Sequence, residues 1–372
     1  MAPGPDIPIP VVFDGLSTNL KTTKIVAVLE APIDTGTNLI WCASFACAWK
    51  ALQQDLAKEP VTLEGNPETV RQLNDGRDPR TDVPLEGFYA TAGRNKDGIV
   101  QQIQREMEKR FLTQRLPSFP EGDSIGFVAY TYLEASLKFP LPYNQNQNPL
   151  EFTSGSGLAT KINSFGLPRE DCDTFFQLRD QVRILFYKCT LTNSSDGDFA
   201  IDLCTNSTPS QIILAKIRPE TNLLATLEAV EKEIHSHNRD ESDGDPYYVR
   251  HDRSLGPSDT LLVPDLNFFI SHHFSELEHR RITNKALLSG DLFEAQQDIR
   301  FRLDKSGVDL KSQAVEDLAP APMRYVFDRP FLIYMKKRGA QMPYFVMWVD
   351  NSELLSPFVL KDTNAVEKVK IR

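Results

Sequence analysis

Four side chains between residues 272 and 279 have the types and spacing that could bind a metal ion. They are His272, His273, Glu276 and His279. The segment 272–282 predicts a helix, on which Glu276 would lie one turn from His272 and one turn from His279. No cysteine and no second helix with ligands accompanies them, and the zincin pattern is absent. We therefore predict exposed polar residues on a helix, with no metal and no cofactor.

A second group of potential ligands lies in a charged segment rich in Asp, Ser, Gly and His. Its members are His235, His237, His251, Asp240, Asp243 and Asp245. Such a group could hold a cation weakly, but a solvated loop explains the composition better. The sequence predicts a mobile insertion near residues 235–259.

An enzymatic interpretation depends on Cys42, which lies beside Trp41 and Ala43. The composition is superficially similar to that of cysteine proteases, but their motif is missing and no histidine is placed by a motif. Residues 155–157 read Gly-Ser-Gly without the lysine of a phosphate-binding loop. A Cys/His hydrolase is therefore the weakest alternative, and we predict no catalytic residues and no enzyme.

Composition excludes several classes of partner. The chain has 372 residues and a net charge of −10, from 41 basic and 51 acidic residues. This balance argues against nucleic acid or an anionic membrane as the main partner, and no apolar run reaches the ~20 residues of a membrane helix. Five cysteines do not make a disulfide scaffold. With no secretory signal visible, we expect a cytoplasmic protein by default, or a secreted one if a leader was removed.

Periodicity predicts strands and helices that do not alternate one for one. Predicted strands are 25–29, 125–139, 182–187, 212–214 and 261–268, with a turn at 193–198. Predicted helices are 38–56, 99–116, 223–234 and 272–282, and residues 57–98 are predicted to be rich in loops. We see no repeat and no domain boundary, so the fold class is α+β with mixed sheets.

The order of the C-terminal segments carries a family resemblance. A strand-like run ends in Asp304 and Gly307, a long connection follows, and two apolar runs come after the Arg329-Pro330-Phe331 step. This order resembles the C-terminal third of the serpins. The resemblance implies a single serpin-like domain over 1–372, with a large central mixed sheet, smaller sheets and surrounding helices. Residues 1–24 would be a loop-rich N-terminal segment and residues 352–372 a C-terminal extension.

The chain departs from the family where the main sheet of a serpin opens. The family's central helix begins Ser-Pro-x-Ser, and the matching positions here are Cys42, Ala43 and Phe45. An Asn on the long strand is replaced by Tyr130 or Thr131, a His by Gln297, and a Glu before the loop by Lys305. Opening of the sheet would therefore need different hydrogen bonds.

The connection resembles the reactive loop of the family, with 23 positions from Gly307 to Pro330. Its hinge would comprise Lys305, Gly307, Val308, Leu310, Ser312 and Ala314. Leu310, Lys311 and Gln313 break the family's preference for small residues, which predicts a loop too slow to trap a protease. The segment nevertheless has a period of two. Val308, Leu310, Ser312 and Ala314 could face inward, while Asp309, Lys311 and Gln313 could face water. Glu316 interrupts that pattern, and partial insertion of 308–315 in the resting state is a third hypothesis.

The candidate bait region is also unusual. It comprises Ala319, Pro320, Ala321, Pro322, Met323 and Arg324. Counting forward from Gly307 places the scissile bond at Ala321-Pro322, and counting back from Pro330 places it at Ala319-Pro320. Both put Pro after the bond, where most serine proteases do not cleave. Arg324-Tyr325 is a trypsin-like site that lies late in the loop. We predict a non-inhibitory binding or structural protein, with a protease inhibitor acting by loop insertion as the alternative. Its partner would be a protease or another protein, bound through 307–326, and the chain would be a monomer.

Overall fold

The computed structural model describes most of the chain. The described residues are 10–84, 86–111, 117, 119, 126–136, 139–167, 178–190, 193–205, 207, 210–240, 253–256, 259–287, 290–305 and 323–359. The helices are α1 (Ala43–Ala51, continued by a π-helix Leu52–Ala57), α2 (Glu68–Asp75), α3 (Ile99–Phe111) and α4 (Leu223–Asp240). Within these ranges, no helix is long and apolar enough to span a membrane.

Nineteen strands accompany the helices in the described residues. The first nine are β1 (Phe13–Leu16), β2 (Thr23–Val26), β3 (Asn38–Cys42), β4 (Phe88–Arg94), β5 (Phe127–Ser136), β6 (Asn144–Gln145), β7 (Leu150–Thr153), β8 (Ala159–Ile162) and β9 (Ser164–Leu167). The others are β10 (Arg183–Thr190), β11 (Asn193–Asp202), β12 (Ser210–Lys216), β13 (Thr260–Pro264), β14 (Leu266–His273), β15 (Arg280–Arg281), β16 (Asp291–Leu303), β17 (Arg324–Val326), β18 (Phe331–Lys337) and β19 (Phe345–Val349).

The main sheet has the order β1-β14-β16-β5-β4, and β15 pairs with the start of β16. Strand β16 is antiparallel to β14 and parallel to β5. A second sheet has the order β10-β11-β12-β18-β19-β3-β2, and a four-stranded sheet has the order β17-β13-β9-β6. Mixed sheets with few helices confirm the α+β fold class.

The core lies between the main sheet and the second sheet. Strands β3, β18 and β19 contain apolar runs, and all five residues of both β3 and β19 are buried. Helix α1 enters this core directly from β3, burying Phe45 and Trp49 completely. Strands that are buried on both faces lose the alternation of polar and apolar residues, and such continuous apolar runs identify the centre of the molecule.

Several predicted elements are wrong or incomplete. Residues 272–282 do not form a helix: β14 extends to His273, a turn follows, and His279 has a left-handed φ of 58°. The turn predicted at 193–198 is the start of β11. Residues 38–42 are strand because they pair with β19, so the helix predicted at 38–56 begins at Ala43. The region 57–98 contains α2 and β4 besides loops.

Other predictions hold within the described residues. Strand β5 lies inside 125–139, and helix α3 begins at Ile99 as predicted. Helix α4 continues to Asp240, so residues 235–240 of the predicted insertion are helical. The predicted mobility of the insertion and the single-domain organisation stay predictions.

Candidate functional site: the main-sheet seam and its loop

The boundary between β5 and β16, here called the seam, is where the serpin resemblance places loop insertion. The two strands are parallel neighbours, and their register runs from Leu292 opposite Phe127 to Arg302 opposite Ser136. A strand between them would occupy the positions that they use to pair with each other. Partial insertion of 308–315 at this position is therefore incompatible with the described pairing.

One face of the seam is turned toward helix α1. Gln297 lies opposite Thr131 across the seam, and its Nε2 donates a hydrogen bond to Ser44 Oγ at 2.7 Å. Thr131 and Gln297 are fully buried, and neither Thr131 Oγ1 nor Gln297 Oε1 has a hydrogen-bond partner. Ser44 is thus the residue of α1 that is hydrogen-bonded to the seam. It lies between Ala43 and Phe45, two of the positions matched to the family's central helix.

The other face of the seam contains a second buried hydrogen bond. Tyr130 Oη on β5 donates to Asp298 Oδ2 on β16 at 2.8 Å, and Gln296 Nε2 donates to Asp298 Oδ1 at 3.0 Å. Burial raises the pKa of Asp298, while hydrogen bonds from Ser271, Tyr130 and Gln296 oppose that rise. Burial next to Asp298 also raises the pKa of Tyr130, so the phenol remains a donor. The two strands are thereby joined by side chains as well as by backbone.

Helix α3 covers this face of the seam. Its buried residues Ile99, Ile103 and Met107 form a separate apolar cluster with Tyr89, Val128, Tyr130 and Tyr132. As a result, β16 is buried on both faces from 294 to 299, and exposure begins at Arg300. Along this stretch an inserted strand would have no face toward water, contrary to the alternating pattern expected for 308–314.

Backbone and side-chain contacts fix the point where the chain leaves β16. The Lys305 carbonyl accepts a hydrogen bond from the Tyr143 amide at 2.9 Å. Arg302 Nε donates to the buried Asp304 Oδ2 at 2.5 Å. Of the predicted hinge residues, Lys305 is thus held at the end of the main sheet. The others, Gly307, Val308, Leu310, Ser312 and Ala314, lie outside the described residues.

The chain rejoins the structure at the four-stranded sheet. The Met323 amide donates to Asp259 Oδ1 at 2.8 Å, and the Met323 carbonyl accepts from the Thr260 amide at 3.0 Å. Arg324 begins β17 opposite Thr260, and Tyr325 is 1% exposed. Arg324 therefore belongs to a sheet, Met323 is hydrogen-bonded directly before it, and the connection itself is residues 306–322. The remaining bait candidates, Ala319, Pro320, Ala321 and Pro322, lie outside the described residues.

A buried carboxyl group lies close to the hinge. Asp265 joins β13 to β14, and its Oδ2 accepts a hydrogen bond from Gln145 Nε2 at 2.8 Å. Its Oδ1 is buried and has no hydrogen-bond partner. Burial raises the pKa of Asp265 to about 7, and the negative charge of Asp304 acts in the same direction. No sequence motif marks Asp265, since its importance comes from a neighbour 39 positions later in the chain.

The potential metal ligands considered from sequence do not meet at one point within the described residues. His272 Nδ1 lies 2.7 Å from Ser17 Oγ, whereas His273 Nδ1 lies 3.0 Å from Glu278 Oε1. His235 Nδ1 is 2.6 Å from the Glu231 carbonyl on α4, and Asp243, Asp245 and His251 lie outside the described residues. The four polar residues predicted to be exposed on one helix therefore lie at the end of β14 and in the turn after it, and His272 and His273 are half-buried.

The thiol considered as a nucleophile lies in the core. Cys42 is 1% exposed, and burial raises its pKa well above the usual value. Burial also raises the pKa of Cys47 to about 12. Both thiols are therefore protonated at neutral pH, and a protonated thiol is a poor nucleophile. This geometry gives no support to the Cys/His hydrolase alternative.

Comparisons with known proteins concern the fold. No protein-family model and no curated protein matches the sequence. The structure is similar to thyroxine-binding globulin in complex with thyroxine, at 11% identity and TM-score 0.49, covering 84% of this chain and 92% of that one. It is also similar to the native stressed conformation of Arabidopsis AtSerpin1, at 10% identity and TM-score 0.46, with 86% of this chain and 93% of that one covered. The similarity to native protease nexin-1 with heparin has 10% identity and a TM-score of 0.41, and it covers 69% of this chain and only 66% of that one.

The topology expected from the C-terminal sequence is present. Strand β16 lies inside the main sheet, the connection 306–322 follows, and β18 and β19 form a buried hairpin in the second sheet. This hairpin begins at Phe331, directly after Arg329 and Pro330. The chain has a serpin-like fold.

Proposed function

We propose that this chain is a non-inhibitory serpin-like protein, in which the main sheet stays closed and residues 306–322 contact another protein. Loop segments carried by a rigid scaffold commonly supply binding residues. Here the segment is anchored on one side by Lys305, just after β16 of the main sheet, and on the other by Met323, just before β17 of the four-stranded sheet. The partner would be a protease or another protein that recognises this segment.

The observation that carries the proposal is the hydrogen bond from Tyr130 to Asp298 across the seam. An inserted strand would move β5 and β16 apart by one strand spacing, about 4.8 Å, which no hydrogen bond can bridge. Both groups are buried, and leaving a buried polar group without a partner costs about 1–3 kcal/mol. Insertion would therefore have to offset this loss in addition to the broken backbone pairing.

The composition of the connection adds a second obstacle. Asp309, Lys311 and Gln313 alternate with Val308, Leu310 and Ser312 over the part that would enter the seam, and Glu316 falls in the same set as Val308. Because β16 is buried on both faces from 294 to 299, neither set of side chains would find water there. Burial of an unpaired charge is costly. Slow or absent insertion would let an attacking protease complete its reaction and leave.

A protease panel tests the proposal. The full chain is incubated with proteases that cut between 306 and 322, and the products are examined by SDS gel and by thermal melting. We expect cleaved protein, no SDS-stable complex and a melting temperature within a few degrees of that of the intact protein. An SDS-stable complex would support the alternative, a protease inhibitor. A large rise in melting temperature after cleavage would show that the seam opens and would contradict the closed-sheet mechanism.

A further inference from the structure

A histidine and two glutamates meet at the end of the main sheet opposite the hinge. His273 ends β14, Glu278 lies in the turn that follows, and Glu294 lies near the start of β16. His273 Nδ1 is 3.0 Å from Glu278 Oε1 and 3.2 Å from Glu294 Oε2. The three ligand atoms all lie within 4.8 Å of one another. Three separate elements thus direct their side chains to one point.

The charges of this trio do not balance. The Glu278 and Glu294 side chains are only 10% and 5% exposed. Two carboxylates thus face a single imidazole in a largely buried place, where negative charge without a compensating cation is costly.

Glu294 also has an unused ligand position. Its Oε2 is buried, has no hydrogen-bond partner, and is the atom turned toward His273. The Glu278 carboxylate is held differently, since its Oε1 accepts a hydrogen bond from the Ala295 amide at 2.9 Å. A fixed carboxylate, a second carboxylate with a free oxygen and an imidazole together form a preorganised set of donors.

The spacing of the donors fits a small divalent ion. Bonds of about 2.0–2.1 Å in a tetrahedral arrangement place the ligand atoms roughly 3.3 Å apart, close to the 3.0 and 3.2 Å measured from His273 Nδ1. One nitrogen and two oxygen donors suit Zn²⁺ better than Ca²⁺ or Mg²⁺, which prefer oxygen alone. We propose that His273, Glu278 and Glu294 form a Zn²⁺ site, with water as the fourth ligand.

The geometry also explains how the ion enters and what it does. The His273 side chain is 35% exposed, which leaves one side of the site open to water. Zn²⁺ bound by the three side chains joins β14, the following turn and β16. The ion would therefore tie β16 to β14 at the end of the main sheet remote from the hinge, where Glu294 lies opposite Val128 of β5.

The test uses the full chain after removal of metals with a chelator. Titration calorimetry with ZnCl₂ should show one site, and saturating Zn²⁺ should raise the melting temperature by about 3 °C. Ca²⁺ and Mg²⁺ should have no such effect. Replacement by Co²⁺ should give the strong visible absorption of a tetrahedral site, which reports coordination independently of stability.

Matched variants decide which residues bind the ion. We expect Glu294→Gln and His273→Ala each to weaken Zn²⁺ binding by at least about tenfold. The control Glu276→Gln changes an exposed carboxylate on the same turn and should bind like wild type. If Glu294→Gln does not fold, as judged by circular dichroism, Glu278→Gln replaces it. Absence of binding by the wild type, or equal binding by all variants, would overturn the proposal.

Discussion

At the scale of single residues, a few buried polar contacts join the two strands of the seam. Tyr130 and Asp298 are joined on one face of the seam, while Gln297 and Ser44 are joined on the other. A buried hydrogen bond adds only modestly to the free energy of unfolding. Leaving one of its partners buried without the other lowers that free energy by more. These contacts therefore oppose separation of the strands more than they add to overall stability.

The Tyr130 hydroxyl can be removed with little change of shape. We expect Tyr130→Phe to lower the free energy of unfolding by about 1–2 kcal/mol, because Asp298 loses a buried donor. Urea unfolding measures this. Tyr132→Phe is the matched control, since its hydroxyl is 3.5 Å from Glu134 and makes at best a weak bond; its effect should stay below about 0.5 kcal/mol. Equal effects of the two variants would contradict the role assigned to Tyr130.

Asp265 predicts a pH dependence of stability. Its folded-state pKa of about 7 lies above the usual value of 3.8, so the folded protein binds the proton more tightly than the unfolded chain. The stabilising contribution is complete below about pH 4 and is lost as pH rises through about 7. Relative to Asp265→Asn, the wild type should lose up to roughly 4 kcal/mol over this range.

Urea unfolding of both proteins between about pH 4 and pH 8 tests this. The difference between them isolates Asp265 from the other titrating groups. Because the Asp304 charge also raises the pKa of Asp265, Asp304→Asn should move the midpoint of the loss to lower pH. A difference that does not vary with pH would refute the assignment.

The sequence could predict only part of this site. Tyr130, Thr131 and Gln297 were found because they occupy positions where the family has other polar residues. Asp298 was missed because a carboxylate in a strand, taken alone, indicates a solvent-facing position, and only α3 makes it buried. Ser44 was missed because the register of α1 depends on where β3 ends, and β3 is defined by pairing with β19.

At the scale of elements, α3 decides which residues of the main sheet are buried. Its periodicity predicted the helix, but no pattern within 99–111 reveals the polar network beneath it. Strand β14 shows the same limit. Its end, His272 and His273, joins a turn in which histidines and glutamates have helical spacing by coincidence. Local pattern identifies elements well when they are long and poorly when polar residues dominate a junction.

The packing of α3 can be tested through its central residue. Ile103 is fully buried in the cluster with Tyr89, Val128 and Tyr130. We expect Ile103→Ala to lower the free energy of unfolding by about 2–5 kcal/mol, because it creates a cavity above the seam. Urea unfolding followed by circular dichroism measures the change. The exposed Glu108→Ala on the same helix should change it by less than about 0.5 kcal/mol, and an equally small effect of Ile103→Ala would mean that α3 does not pack on the sheet.

At the scale of the whole molecule, the predicted order of the C-terminal elements agrees with the structure. The order of β16, the connection 306–322 and the buried hairpin follows from two apolar runs and a Pro-Phe step, and it is confirmed. The C-terminal extension is different. Residues 352–359 are integrated into the structure, since Leu354 and Leu355 are buried and the Ser356 amide donates to the Asp265 carbonyl at 2.9 Å. No local sequence pattern indicates that residues 352–359 are buried, because their partners are distant in the chain.

Two truncations test the extension. Deletion of residues 352–372 removes two buried leucines, each expected to contribute about 1.5–3 kcal/mol, together with Glu353, which accepts hydrogen bonds from the Lys21 and Thr22 amides. We expect a clearly lowered melting temperature or insoluble protein. Deletion of 360–372 keeps every described residue and serves as the control, with melting close to that of the full chain. Similar melting of both truncations would show that the extension is dispensable.

The position of β3 has a consequence for biosynthesis. Residues 38–42 are made about 300 residues before β19, which flanks them on one side. At ~5–20 residues per second this delay lasts on the order of tens of seconds. Until then Leu39, Ile40 and Trp41 have no permanent cover on that side. The exposed edge of β3 is therefore open to aggregation until β19 has been made.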